Sequence, residues 1–156
     1  MAEDVFLKLD GIKGESQDAQ HKDEIHIGSF RFGVEQKPET AGGVAKVELH
    51  DIVIRKAFDK SSTALALACC TAKPIKTGHI VVRRAGEKPL EYIKMKLENV
   101  IVTKYRTAAG DGNDVVGEEI ALNFSKYFVE YYEQKEDGSG KPGAQAGWDV
   151  KAHAKL

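Results

Sequence analysis

The chain has 156 residues, of which 42% are hydrophobic and 30% charged, a balance typical of a single globular domain rather than a disordered segment. Its 23 basic residues are offset by 24 acidic ones, which argues against a nucleic-acid partner because phosphate binding needs a clustered basic surplus. No apolar run approaches the ~20 residues of a membrane span, so we expect no membrane partner either.

The first residues and the cysteines indicate where the chain folds. The segment Met1–Phe6 has no basic stretch followed by an apolar one, so it lacks the usual pattern of a secretory signal. Cys69 and Cys70 are adjacent, and a disulfide between neighbours would be strained. We therefore expect synthesis and folding in the reducing cytoplasm.

Apolar residues alternate along much of the chain, which is the period-two pattern of half-buried strands. The first two predicted strands are Val5–Leu9 and Glu24–Glu35. In the second strand the apolar positions change parity near Gly28-Ser29, and a β-bulge is the simplest device that produces such a change. The apolar residues on the two sides of it are Ile25 and Ile27, then Phe30, Phe32 and Val34.

The same change of parity occurs twice more. It follows Leu49 in the strand Val47–Arg55, and it follows Phe124 in the strand Glu118–Glu133. Long strands that change their buried face midway favour a strongly bent sheet or a barrel. The segment Gln36–Ala45 joins the first two of these strands, either as a flexible connector or as an arm that reaches a neighbouring subunit.

One helix is predicted, over Asp59–Ala72, and Pro74 ends it. Its N-terminus can be capped by the side chain of Asp59, Ser61 or Ser62. A wide band of small apolar residues should lie flat against a sheet or a barrel mouth. This band consists of Ala64, Leu67, Ala68 and Thr71, with Leu65, Cys69, Cys70 and Ala72 as packing residues beside it.

The remaining strands follow the helix. His79–Arg84 precedes Leu90–Lys104, in which Met95, Leu97 and Ile101 share one parity. The segment 136–146 has the glycines and polar residues of a flexible loop before a last short strand. We expect one mainly β domain over 1–156, built from two packed curved sheets that form a barrel or sandwich with one α-helix alongside.

Motifs that carry chemistry are absent. Gly138–Lys141 lacks the first glycine and the closing hydroxyl of a phosphate loop, and the five histidines show no metal-binding spacing. Asp111–Asp114 lacks the glycine position and closing glutamate of a calcium loop. We predict no catalytic, cofactor or metal site, and therefore no enzyme.

Several segments together resemble one known family. In chain order they are Phe6–Ser16, His21, Glu24-Ile25, Ser29–Gly33, Asp59–Thr63, Glu91-Tyr92, Asn99–Thr103, Glu119–Ser125, Tyr131 and Gly147–Lys151. This ordered set is similar to the haemolysin-coregulated protein (Hcp) family of the bacterial type VI secretion system. Members of that family vary greatly in the loop that corresponds to Gln36–Ala45, which is fairly short here.

The resemblance implies a hexameric ring with a wide channel. Such rings stack into the inner tube of the type VI system, inside a contractile sheath and beneath a spike, and the channel carries small secreted effectors. Contraction of the sheath expels the tube, so a protein made in the cytoplasm reaches the exterior without a signal peptide.

The resemblance also suggests a channel-facing strand. With Phe30 and Phe32 buried, Ser29 and Arg31 point the other way, either to solvent or to the channel. In the second case Arg31 presents a ring of positive charge to cargo.

Two alternatives remain open. The chain could be a monomeric β-barrel that binds a small ligand, or a tube protein of a phage-like contractile tail. The first predicts a monomer with a closed pocket. The second also predicts rings that stack into a tube.

Overall fold

The computed structural model describes residues 3–37, 46–110, 112 and 115–156. Within these residues the chain forms twelve strands and one helix. The strands are β1 Glu3–Leu9, β2 Ile25–Ile27, β3 Ser29–Arg31, β4 Val34–Lys37, β5 Lys46–Leu49, β6 Ile52–Ala57, β7 Ile75–Arg84, β8 Leu90–Ala108, β9 Gly117–Asn123, β10 Lys126–Gln134, β11 Gly140–Asp149 and β12 Ala154–Lys155, and the helix α1 is Ser62–Thr71. This helix is too short to cross a membrane.

The strands close into a barrel through antiparallel pairs. β1 pairs with β2 and β7, β7 with β8, β8 with β9, β9 with β6, and β6 with β3. The ring of strands is completed by the chain itself, since β3 follows β2 across Gly28, whose amide donates to the Arg55 carbonyl at 2.8 Å. The predicted mainly β architecture of curved sheets with one helix is confirmed.

The long strand β8 belongs to both curved sheets. Its first half pairs with β7 and β10, and β11 and β12 extend that sheet beyond β10. Its second half pairs with β9. The hairpin β4–β5 forms a separate two-stranded sheet. The barrel interior is filled by fully buried aliphatic side chains, among them Leu7, Ile25, Ile54, Ile80, Leu97 and Ile120.

The three predicted changes of parity coincide with places where the chain leaves one ladder for another. Gly28 separates β2 from β3, the pair His50-Asp51 separates β5 from β6, and Phe124-Ser125 separates β9 from β10. The three predicted long strands are wrong as single strands, because each is divided at its change of parity. They are Glu24–Glu35, Val47–Arg55 and Glu118–Glu133, and the first is divided again at Phe32-Gly33. Val34 was expected to be buried, but it is 48% exposed on the separate hairpin.

A fourth change of parity lies in β8, where a single face was predicted. Met95 and Leu97 face the core, but so do Val100 and Val102, while Ile101 is only half-buried. Asn99, between them, has a positive φ of 53°, and this left-handed residue shifts the strand by one position.

The helix is shorter than predicted and presents a different face to the barrel. Leu65 is fully buried, whereas Leu67 is 63% exposed, so the predicted band through Leu67 is wrong. Cys69 is half-buried and packs on the core, as expected, but Cys70 is exposed.

The end of the chain also differs from the prediction. The segment 136–146 was expected to be a flexible loop, but β11 begins at Gly140 and pairs with β10. The connection between the two strands is therefore only 135–139. Most of the segment Gln36–Ala45, predicted as a connector or an arm, lies outside the described residues.

Candidate functional site

The outer surface of β3, β6, β9 and the second half of β8 forms a four-stranded face whose register places several cations side by side. Phe30, Ile54, Ile120 and Tyr105 are cross-strand neighbours that point into the barrel, so the residues next to them point outward. The first outward row is Ser29, Arg55, Glu119 and Arg106, and the second is Arg31, Val53, Ala121 and Lys104. We call this surface the basic face.

Glu119 is the carboxylate at the centre of the basic face. Lys104 Nζ lies 3.1 Å from Glu119 Oε1, and Arg55 lies 3.2 Å from Oε2. The hydrogen bond from Lys104, together with the nearby charges of Arg55 and Arg106, lowers the pKa of Glu119. The carboxylate therefore stays ionised and is already shared by two cations.

Arg31 and Arg106 are exposed, and neither makes an ion pair or a side-chain hydrogen bond within the described part of the chain. At one end of the face, Asp51 accepts hydrogen bonds from the side chains of Thr103 at 2.6 Å and Asn123 at 2.9 Å. Arg31, Arg55, Lys104 and Arg106 thus face two carboxylates, Glu119 and Asp51, which leaves a local charge of +2 on a chain whose net charge is −1.

A buried ionic cluster closes one end of the barrel beneath the start of the helix. The side chain of Lys56 is fully buried, and its Nζ lies 2.7 Å from Glu118 and 2.8 Å from Asp59. Tyr105 donates a short hydrogen bond to Glu118, and Ser62 Oγ lies 3.3 Å from Lys56 Nζ. The cluster joins β6, β8 and β9 to the helix, and its burial indicates a structural role.

The buried ionic cluster shifts the pKa values of Asp59 and Tyr105. Burial would raise the pKa of Asp59, but hydrogen bonds from Lys56 and Ser61 outweigh it and hold the pKa below its usual range. Burial and the neighbouring carboxylate of Glu118 raise the pKa of Tyr105 to about 12.

A second cluster holds the loop before β2 against the outer surface of β1. The ring of His21 stacks on Phe6 with centroids 4.3 Å apart, and its two nitrogens lie 3.0 Å from Glu24 and 2.8 Å from Glu91. Arg83 covers the same Phe6 ring at 5.0 Å. The loop is thereby fixed over the first sheet.

One group in the described residues has donor atoms close enough to hold a metal ion. Glu35, Glu48 and His50 are exposed, and their ligand atoms lie within 4.8 Å of one another. The group forms because the β4–β5 register places Glu35 opposite Glu48. Lys37 lies 2.5 Å from Glu48 and His50 lies 3.3 Å from Glu35, so both carboxylates already have partners.

Comparison with known proteins assigns the fold to a family. The family described as the type VI secretion system effector Hcp matches residues 6–131. The curated "Protein hcp1" of Pseudomonas aeruginosa is 33% identical in an alignment of 157 positions that covers 97% of each chain. The chain belongs to the Hcp family.

Solved Hcp structures resemble the whole chain. The crystal structure of Hcp1 from Salmonella typhimurium is 31% identical, with a TM-score of 0.83 and complete coverage of both chains. A type VI secretion system effector from Yersinia pestis is 33% identical, with a TM-score of 0.78 over 94% of this chain and all of that one. Because both likenesses extend along nearly the full length, this Hcp chain is a component of the type VI secretion system.

The structure places both predicted site residues of this Hcp chain, Ser29 and Arg31, on the basic face, where they are exposed. A channel position for them stays a prediction. Arg55, Lys104 and Arg106 were not identified from the sequence, since they lie on three different strands and only the register brings them beside Arg31.

Proposed function

We propose that this chain is the tube subunit of a type VI secretion system, without catalytic activity of its own. Six copies form a ring, rings stack into the inner tube, and contraction of the sheath expels the tube beneath its spike. The observation that carries this proposal is the match to a solved Hcp structure over the complete length of both chains.

An unpaired strand edge supports assembly with further copies. β11 is ten residues long, but β12 pairs with it only at Trp148 and Asp149. The outer edge of 140–146 therefore has no strand partner in the described part of the chain. Exposed strand edges are usually covered in stable proteins, and a neighbouring copy can cover this one.

Release from cells tests the tube role. In a host with an active type VI system, the chain should appear in the culture medium when the sheath is functional. It should stay inside the cell when the sheath gene is deleted, since only contraction carries a chain of this kind outward. Equal release with and without the sheath would contradict the proposal.

The channel role of Ser29 and Arg31 is part of the same proposal. Both side chains are exposed on a face whose other side packs into the barrel. Arg31→Glu should weaken the capture of a co-produced secreted effector in a pull-down while rings remain intact. Unchanged capture would make Arg31 an ordinary solvent-facing arginine.

A ligand-binding role is the second candidate, and one groove favours it. This groove lies between the helix and the turn after β1, is open to solvent, and has a volume of about 600 Å³ beside Ile12, Leu67 and Ala68. The barrel interior itself is filled by side chains, so any ligand would bind at this outer groove rather than in a closed pocket.

A further inference from the structure

We propose that the basic face gives the channel a preference for acidic cargo proteins, an inference that rests on the proposed channel role of this face. Membership of the Hcp family does not indicate the chemical class of the cargo, whereas the charges of this face do.

The charge of the basic face is positive on balance. Glu119 is ion-paired with Arg55 and Lys104, while Asp51 accepts two hydrogen bonds from neutral side chains at one end of the face and keeps its negative charge. Arg31 and Arg106 have no such partners among the described residues. An incoming protein therefore meets unpaired guanidinium groups, which bind carboxylates in a two-pronged geometry.

The rest of the face offers little else to bind. The other outward positions of these strands are small or polar, except for Val53, which is half-buried. These small or polar positions are Ser29, Ala57, Ala108, Gly117 and Ala121. Val115, just before β9, is an exposed apolar side chain beside Arg55 and Arg106. Because the face has few other apolar groups, contact with cargo depends mainly on charge rather than on apolar burial.

Binding of this kind suits a carrier that must also release its load. Exposed ion pairs are weak one by one and are screened by salt, so they hold cargo reversibly. In a closed ring the same face repeats around the channel, and like charges that line a concave surface add their fields. Acidic cargo is then attracted along the whole channel, while basic cargo is repelled.

The test uses purified rings and a matched pair of probes. The probes are acidic and basic surface variants of one small globular protein, each with a net charge of about eight. Their binding to rings is measured by fluorescence anisotropy at low and at physiological salt. Wild-type rings should bind the acidic probe at least about tenfold more tightly than the basic one, and the preference should shrink as salt rises.

Three double variants separate the effect of this face from the effect of the overall charge. Arg31→Gln/Arg106→Gln should abolish the preference. Lys8→Gln/Lys96→Gln removes the same charge from a row on the other sheet, where both lysines flank His79, and should retain it. Arg31→Lys/Arg106→Lys keeps the charge and should restore most of the binding.

The outcomes distinguish the inference from the function on which it rests. Equal binding of the two probes to intact wild-type rings, or equal losses in the two glutamine variants, would overturn the acidic preference and leave the tube subunit standing. Failure of the wild-type chain to form rings would overturn both.

Discussion

Lys56 and Glu118 are the most consequential single residues for stability. Both side chains are completely buried, and Glu118 Oε2 accepts no aligned hydrogen bond, so the Lys56 charge 2.7 Å away is its main compensation. Removing one partner of a buried pair leaves an uncompensated charge in an apolar setting. Lys56→Met should therefore lower the free energy of unfolding by about 3–5 kcal/mol, measured by urea denaturation.

Lys141→Met provides the matched control. Lys141 lies 3.7 Å from Glu133 in an exposed ion pair, and such pairs contribute about 0–1 kcal/mol. If the two variants lose similar amounts of stability, the buried cluster does not have the importance assigned to it.

Tyr105 makes the free energy of unfolding depend on pH in the alkaline range. Its pKa is raised to about 12, so the folded state holds the phenolic proton more tightly than the unfolded state, which loses it near 10. The stabilisation is complete below about pH 10 and is lost as the pH rises towards 12.

Tyr105→Phe checks this dependence. At neutral pH the variant should lose about 1.5–3 kcal/mol, the contribution of a hydrogen bond to a charged group. The difference in unfolding free energy between wild type and variant should then narrow between about pH 10 and 12. A difference that stays constant through this range would contradict the assignment.

The sequence predicts only part of the position of Lys56 and Glu118, namely that both side chains point into the barrel. Lys56 continues the inward parity of Ile52 and Ile54, and Glu118 that of Ile120. A period-two pattern does not say where the barrel ends or what covers that end. Their burial depends on the helix start, which is a tertiary contact.

At the scale of elements, changes of parity were the informative signal. Three were visible because polar residues or glycine separate apolar residues of opposite parity. The fourth, at Asn99, is hidden by the run Val100-Ile101-Val102, which is apolar in both parities. The burial of Val100 and Val102 shows which of these residues face the core, and the positive φ of Asn99 accounts for the change.

Leu65 and Leu67 test which side of the helix packs on the barrel. Leu65→Ala should cost about 2–5 kcal/mol because it leaves a cavity in the core. Leu67→Ala removes the same atoms from an exposed position and should cost less than about 0.5 kcal/mol, as is usual for surface changes. Thermal or urea denaturation of the pair gives both values, and the reverse order would contradict the observed helix orientation.

At the scale of the whole molecule, the alternation and its changes predicted curved sheets, but the register could not be predicted. The side chains of one outward row come from segments separated by up to 90 residues in sequence, as with Ser29 and Glu119. Ser29 and Arg31 were recognised from one strand. The complete basic face exists only once four strands are aligned.

The ring is the central claim for the whole molecule. The most direct test is the mass in solution, measured by light scattering after size exclusion, with negative-stain images of the same peak. We predict a species of about six times the 17.1 kDa chain mass, with ring-shaped particles. A monomer that persists at high concentration would contradict the tube subunit and favour the ligand-binding barrel.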